Sequence, residues 1–425
     1  MKVSTGRPDE MAPGLRSLSY GIFCWLNRNI IVLRGFGAVL RRWPFVGGWL
    51  GMAARASAVK QVLLRPRSFS NTSHQANLVA GDYLIGMDTG PTYDHDRALV
   101  HARLDCLNVE VDANREAQDR VAKLRLTGAK SAFDLIENYL MWIVFRAIEP
   151  VFGAAAGKVS VGAQGNVADL GLQRQYLLEI RYVAGQLLAG SASTLDIQRR
   201  AELCAASLRA RMQGVSGDIQ KSWNVSDPPE DIERNAVGLA WISHPVTVQS
   251  AALVVQELLS RPNVYQALRL KAAEVGEPAV WSDVDFRKSV RDHVLELMRF
   301  RPIFPLLARD VPRDTEFETG GRGNAQCPAG GKLTILSIAA LFDPRAVPDS
   351  GKFCPHRNWG HEVDLRYLMF GYGTRQCPAK DYAVEIMTIA LIGLLVLPEL
   401  RLASDDGKAI TYDGPLMSRM QMRFA

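Results

Sequence analysis

Cysteine is scarce and scattered. Six occur in 425 residues, at positions 24, 106, 204, 327, 354 and 377, with no C-x-x-C pair among them. That excludes the paired spacings of zinc sites, offers no disulfide scaffold, and implies a reducing, intracellular setting. The N-terminal apolar stretches, 20–26 and 30–33, are interrupted by Asn27, Arg28, Asn29 and Arg34, so the segment is too broken for a membrane-spanning helix. With Arg41, Arg42 and Trp43 nearby, it reads either as a helix lying on a membrane surface or as one buried against the body of the protein. The net charge of +6 comes from scattered residues, and no basic run interleaved with aromatics suggests nucleic acid. Surface lysines and arginines form either a docking face for an acidic electron-transfer partner or a solvated face. No internal repeat or low-complexity tract is visible.

Hydrophobic residues, by contrast, make up 48% of the chain, enough for a core that encloses a cofactor. Helical periodicity covers 132–151, 169–188, 195–212, 230–259, 282–300 and 378–397. Short β-type runs are few and cluster after Thr315, and 214–229 is a polar connector holding Gly217, Asp227, Pro228 and Pro229. The fold class is mainly α with a small β part. A first segment, 1–61, precedes one large domain, 62–425.

The most specific local pattern is F-G-Y-G-T-R-Q-C-P-A, from Phe370 to Ala379. Gly371 and Gly373 let the backbone turn and approach a flat ligand. Cys377 stands at the start of an apolar helix, where unpaired N–H groups and the positive end of the macrodipole favour thiolate over thiol. Pro378 loses no helical bond in a first turn. A lone cysteine can equally be a buried, inert small hydrophobe. The set Phe370, Gly373, Arg375, Cys377 resembles the haem-binding loop of the cytochrome P-450 superfamily, F-x-x-G-x-R-x-C-x-G, with Ala379 where glycine is usual. The resemblance implies the cytochrome P-450 fold and haem b (iron protoporphyrin IX) as cofactor. It makes Cys377 the axial iron ligand, places Phe370, Gly371 and Ala379 against the porphyrin, and gives Arg375 to a propionate.

Upstream, Glu296 and Arg299 stand three apart on one helical face. Such pairs are common on solvated surfaces and contribute little there. The resemblance gives them a role: with Arg357, from the 353–357 stretch F-C-P-H-R, they match a buried triad whose planar guanidiniums grip one carboxylate. Arg309 matches a second propionate-binding arginine. Residues 62–70 resemble an early helix and its following loop, 328–344 a hairpin region, and 90–97 the entry to a helix crossing one haem edge. There His95 and Arg97 are propionate donors by resemblance, with Arg103 as a substitute for an arginine missing at Leu99; a solvated loop fits His95 equally well.

The long apolar run Arg234 to Leu259 resembles the superfamily's central helix above the haem. Counting back from Pro262 places its usual acid and alcohol near His244, Pro245 and Val246, and that pair is missing. Pro245 removes a backbone donor and kinks a helix. His244-Pro245 resembles the Arg-Pro of the superfamily's fatty-acid peroxygenases, and a histidine here titrates near neutrality and can pass a proton. Ser243 and Thr247 are the hydroxyls left to order a water chain.

The resemblance therefore implies an oxidoreductase acting on an apolar small molecule such as a lipid, terpene or polyketide-like compound. Residues 135–212, the central helix and the 414–417 turn line its pocket. The oxidant is hydrogen peroxide or a hydroperoxide, or else O₂ in a conventional monooxygenase with a ferredoxin or similar redox partner. A haem-based sensor or carrier is the reading from another class. The implied location is cytoplasmic, with the N-terminal segment at a membrane surface as the variant.

Overall fold

The architecture was obtained as a computed structural model, which describes residues 13–42, 46–47, 50–70, 83–84, 87–128, 131–152, 167–189, 195–213, 221, 223, 229–321, 323–404 and 408–425. Nearly all of the connector at 214–229 lies outside them. Helices α1 (Pro13–Arg28) and α2 (Ile30–Arg42) lead into strands β1 (Val46–Gly47) and β2 (Leu50–Ala53) and helix α3 (Ala56–Leu63). Then follow α4 (Pro91–Asp105), α5 (Val109–Thr127), β3 (Phe133–Asp134), a π-helical turn (Leu135–Leu140) running into α6 (Met141–Phe152), α7 (Val167–Ala189) and α8 (Leu195–Gln213). The second half holds α9 (Pro229–Leu259), α10 (Pro262–Val275), α11 (Val284–Phe300), strands β4 (Leu307–Asp310), β5 (Thr315–Gly321), β6 (Gly323–Cys327) and β7 (Lys332–Ile335), and α12 (Ser337–Leu341). A 3₁₀ segment (Gly360–Phe370), α13 (Lys380–Leu395), β8 (Arg401–Leu402), β9 (Ile410–Asp413) and β10 (Leu416–Arg423) complete it.

The mainly helical class and the small sheets agree with the sequence reading, but short strands also lie well before Thr315. One sheet runs β1-β2-β7-β4, with β2 parallel to β7 and β4 antiparallel to it. The boundary drawn at 61/62 falls inside α3, and β2 pairs with a strand almost 300 positions later. Residues from β1 onward thus belong to the body of the fold.

The core explains the helical packing. Helix α13 buries an unbroken run from Ile386 to Leu395, apolar all round except for Thr388, whose hydroxyl donates to the Val384 carbonyl at 2.7 Å. A helix apolar on every side must sit inside, and α13 packs between α5 and α11. Gly393 permits the closest approach. A Cβ there would stand 2.1 Å from the Tyr139 hydroxyl, which donates to the Ala390 carbonyl at 2.9 Å. Helix α9 is long and apolar enough to cross a membrane, yet its most apolar stretch is 83% buried inside the protein. It is a core helix, packed against α6, α7, α11 and α13, and it continues through Pro245 without a break.

Candidate active site

The loop ahead of α13 is closed by its own backbone. Cys377 N–H donates to the Phe370 carbonyl at 2.8 Å and Gln376 N–H to the Gly373 carbonyl at 3.0 Å. Both glycines adopt left-handed conformations, φ +86° at Gly371 and φ +67° at Gly373, which other residues reach only at a cost of about 1–2 kcal/mol. A Cβ on Gly373 would also lie 2.7 Å from a terminal methyl of Leu64, just past α3, so that side chain would have to shift. Helix α13 begins three residues after Cys377, so the sulfur stands ahead of the first turn. The electrostatic balance differs from the sequence expectation. Burial pushes the Cys377 thiol up, outweighing the N–H of Ala379 and the nearby Arg97 and Lys380 charges, which pull it down. The helix start alone does not make a thiolate here; a cation meeting the sulfur would.

Two arginines converge on the same region. Arg375 Nη2 donates to the Leu84 carbonyl at 3.3 Å and its Nη1 lies 3.5 Å from Asp88. Arg309, on β4, is held down to about 10 by burial and by the Arg375 charge. Asp88 and Asp310 already offset part of that repulsion, and carboxylates placed between the two arginines would relieve more of it.

Helix α4 braces the loop from its other side, through Tyr93 and through Arg97, which the resemblance gives to a propionate. Tyr93 Oη donates to the Thr374 carbonyl at 3.0 Å, and Arg97 Nη1 donates to the Gln376 carbonyl at 2.9 Å. His95 is not brought to this loop. It is about half exposed and lies 3.9 Å from Asp231, on the side facing α9. Arg103 is buried elsewhere, donating to the Pro150 carbonyl at 2.6 Å. The signal for Tyr93, which the sequence reading does not select, is its i, i+4 spacing to Arg97 just after Gly90-Pro91, masked by the more conspicuous histidine between them. Between them too lies Asp96, wholly buried, whose two oxygens accept from Arg234 Nη2 at 2.7 Å each, so α4 is tied to the start of α9.

The face that α9 turns to this region is apolar. A Cβ on Gly238 would meet the ring of Tyr83 at 2.3 Å, and Tyr83 is close enough to Cys377 for that charge to add to the burial raising its pKa. At about 100° per residue, Ile242, Pro245 and Gln249 lie within about 40° of Gly238 and Val246 within about 80°, whereas His244 and Thr247 lie about 120° and about 180° away. Ile242 and Val246 keep accessible surface while His244 and Thr247 are buried. His244 Nε2 donates to the Met141 carbonyl at 2.9 Å, against α6, and its Nδ1 has no partner among the described residues. Ser243 spends its hydroxyl on the Leu239 carbonyl. The proton-passing role assigned to His244 thus meets a ring aimed away from the Cys377 side.

Nor does His244 titrate near neutrality. Burial holds it down to about 4, against a small opposing effect of the Met141 carbonyl. A depressed histidine favours the unfolded chain as pH falls: the unfolded ring takes its proton near 6.5, the folded one only near 4. Stability is full above about pH 6.5 and falls by about 2 kcal/mol between about pH 7.5 and 5 through this residue alone. Chemical denaturation at the two pH values, compared with His244→Phe, should show the variant losing that slope.

Glu296, Arg299 and Arg357 are brought together. Arg299 grips the carboxylate with two prongs, Nε to Oε2 at 2.9 Å and Nη2 to Oε1 at 2.8 Å, and Arg357 Nη2 adds a third bond to Oε1 at 2.9 Å. All three side chains are almost fully buried, at 1–3% exposure. Other donors go to main-chain carbonyls, Arg299 to Leu341, Ser350 and Lys352, and Arg357 to Pro348 and Lys352, while Arg357 Nε has no partner among the described residues. Cys354 N–H reaches Oε1 at 2.8 Å. Burial opposes ionisation of Glu296, but Arg299, with Cys354 N–H and Arg357, holds its carboxyl below the usual value.

The comparisons with known proteins converge. The family model Cytochrome P450 matches residues 228–421. Cytochrome P450 716A2 of Arabidopsis thaliana is 27% identical over 212 residues, 48% of this chain and 43% of that protein. The β-amyrin 28-monooxygenase of Barbarea vulgaris is 27% identical over 214 residues, 48% and 44% respectively. The chain thus spans less than half the length of these curated relatives. Among solved structures, P450BioI in complex with an acyl carrier protein ligated to hexadec-9Z-enoic acid superposes with a TM-score of 0.70 at 17% identity, over 94% of this chain and 100% of that one. Residues 228–421 thus match the cytochrome P450 family, and the chain has the fold of solved P450 structures.

The cofactor of a P450 is haem, and the residues present fit it. Cys377 supplies a half-buried sulfur that a bound cation would turn into thiolate. Arg309 and Arg375, both partly buried, offer two positive charges to the two propionates of a porphyrin, and the Gly238–Val246 face of α9 offers an apolar wall. When bound, haem brings an iron that a thiolate makes electron-rich, which favours O–O cleavage. Farther along α9, a groove is lined by Gln249, Leu253, the 302–306 segment, Pro415 and Leu416. The 414–417 turn is fixed there by Gln249 Oε1 accepting from Met417 N–H at 3.0 Å and by Arg181 donating to the Met417 carbonyl at 2.6 Å.

Proposed function

We propose that this P450 oxidises or rearranges an apolar small molecule by a peroxygenase or hydroperoxide-using route. The observation that carries this reading is the face of α9 formed by Gly238, Ile242, Pro245 and Val246, with neither carboxyl nor hydroxyl. Splitting bound O₂ draws on delivered protons, and this face holds no group to deliver them, whereas a peroxide arrives with its protons and electrons. The substrate class, a lipid, terpene or polyketide-like compound, follows from the resemblance and from the apolar face of α9. Tyr93 and Arg97 hold the Cys377 loop in place, and Arg309 and Arg375 orient the cofactor through its carboxylates.

A second reading, an O₂-dependent monooxygenase served by ferredoxin or another redox partner, is favoured by the names of the relatives, β-amyrin 28-monooxygenase among them. In either case we place the protein in the cytoplasm, with its N-terminal segment against a membrane surface. Incubating the haem-loaded protein with fatty acids and fatty-acid hydroperoxides separates the routes. Product with hydrogen peroxide or hydroperoxide alone supports the first; product formed only with O₂, NADPH and a surrogate ferredoxin system overturns it.

A further inference from the structure

Strand β5 pairs with β6 in a two-stranded sheet, which leaves its other edge to be satisfied by side chains. The Glu316 carbonyl accepts from Arg65 Nη1 at 3.0 Å, the Glu318 N–H donates to Gln61 Oε1 at 2.8 Å, and the Gly320 carbonyl accepts from Arg345 Nη1 at 3.1 Å. An open strand edge is thus met by α3, by the residues just past it and by the turn after α12. All three of those side chains line one cavity of about 490 Å³.

Its walls are cationic. Arg55, Lys60, Arg65 and Arg345 stand there against two carboxylates, Asp343 and Glu362, and both carboxylates are already engaged. Asp343 accepts from Arg55 Nη1 at 3.2 Å and from the N–H groups of Ala56 and Arg345 at 3.0 and 3.2 Å, and Glu362 accepts from Lys60 at 2.6 Å. Arg65 and Arg345 have no acidic partner among the described residues; each gives a donor to a carbonyl of β5 and keeps the rest of its fork. Arg55 Nε is buried, also without a partner among the described residues. The carboxylates of β5 itself, Glu316 and Glu318, are exposed and do not line the cavity.

We propose that this cavity binds a small soluble anion carrying two linked phosphates, and that its occupancy steadies the Cys377 loop. Planar guanidinium forks suit phosphate oxygens, and a concave site lined by an excess of one charge concentrates the opposite one. The carbonyls that hold Arg65 and Arg345 lie four residues, about 13 Å, apart along the strand. One phosphate cannot bridge that distance; two linked phosphates with a hydrogen bond at each end come close to it. A volume of this size fits a small ligand rather than the face of a protein. The link to the loop runs through Lys60, whose ammonium the ligand would share with Glu362 and which lies over the Tyr372 ring, 5.4 Å from its centre, between the two glycines of the loop. Glu362 itself belongs to the 3₁₀ segment that ends at Phe370. The inference goes beyond the proposed reaction and is independent of the oxidant.

The test is calorimetric titration of the full haem-loaded chain with inorganic pyrophosphate, with ADP and with sulfate, at matched ionic strength. Pyrophosphate should bind at one site per chain and sulfate severalfold more weakly. ADP binding at least as tightly as pyrophosphate assigns the site to nucleoside diphosphates; weaker ADP binding assigns it to smaller diphosphates. Arg65→Gln/Arg345→Gln should weaken pyrophosphate binding by about tenfold or more and leave the ligand-free melt almost unmoved, since both arginines are exposed. Arg65→Lys/Arg345→Lys keeps the charge but loses the forks, and should recover only part of the affinity. Pyrophosphate that binds no better than sulfate, or a glutamine double variant that binds it equally well, overturns the site. Saturating pyrophosphate should also slow haem loss to a scavenging globin severalfold in the wild type; an unchanged rate overturns the link to the loop. Failure of the haem reading would show as a missing Soret band and leave the titration untouched.

Discussion

Serine at position 377 gives a folded protein that no longer shows, when reduced and exposed to carbon monoxide, the red-shifted Soret band of sulfur ligation. The fold survives because the loop is closed by main-chain bonds, Cys377 N–H to Phe370 and Gln376 N–H to Gly373, none of which uses the sulfur. An oxygen for a sulfur changes volume slightly at a half-buried position, so the melting temperature should move by no more than a few degrees, about 1 kcal/mol for a chain of this size. Turnover should fall to background, since the electron-rich sulfur promotes O–O cleavage. A serine variant that kept both band and turnover would remove Cys377 from the site.

Glu296→Ala should be the most damaging single change to stability, about 3–5 kcal/mol, because it strands the buried guanidiniums of Arg299 and Arg357 without their shared carboxylate. The effect should spread beyond the pair. Those arginines also hold the carbonyls of Leu341, Ser350 and Lys352, which fix the chain leading from α12 towards the Cys377 loop, so haem loading should fall along with stability. Arg357→Ala should cost less, because the two-pronged Arg299–Glu296 contact remains. Acid works in the same direction: with the Glu296 carboxyl held below its usual value, its stabilisation is complete above the unfolded glutamate pKa and is lost as pH falls. Denaturant midpoints and the ratio of Soret to protein absorbance measure both effects; a Glu296→Ala protein as stable and as fully loaded as wild type would show that the triad braces nothing.

How far the sequence carried this account depended on what each element buries. Helices α9 and α13 bury aliphatic side chains, and apolar periodicity found both within two residues at each end. Helix α5 buries Val109, Ala113, Ala117, Val121 and Leu124, partly an alanine face, and α4 buries Asp96 and Arg103 alongside Tyr93 and Leu104. A periodicity carried by alanines and ion pairs is invisible to a hydrophobicity pattern, so it reveals neither helix; the resemblance marks only the entry to α4 with Arg97, and Tyr93 goes unread. The Cys377 loop and the Glu296 triad were legible because short, rigid motifs fix their own geometry. The direction in which His244 points was not: it depends on the position of Gly238 and Tyr83 around α9, and a helix seen as a string of letters has no inside until its neighbours are placed. Helices α1 and α2 read as one interrupted segment, because the residues at 27–29 that break the apolar run mark the 97° bend between them.

The central claim is that a buried sulfur near the carboxyl end of this chain meets iron. X-ray absorption at the iron edge of the haem-loaded wild-type protein tests it without any substrate, oxidant or partner. The account predicts one sulfur in the iron's first coordination shell, lost in the Cys377→Ser protein. A shell of nitrogen and oxygen alone in the wild type, or a sulfur that persists in the variant, would contradict it.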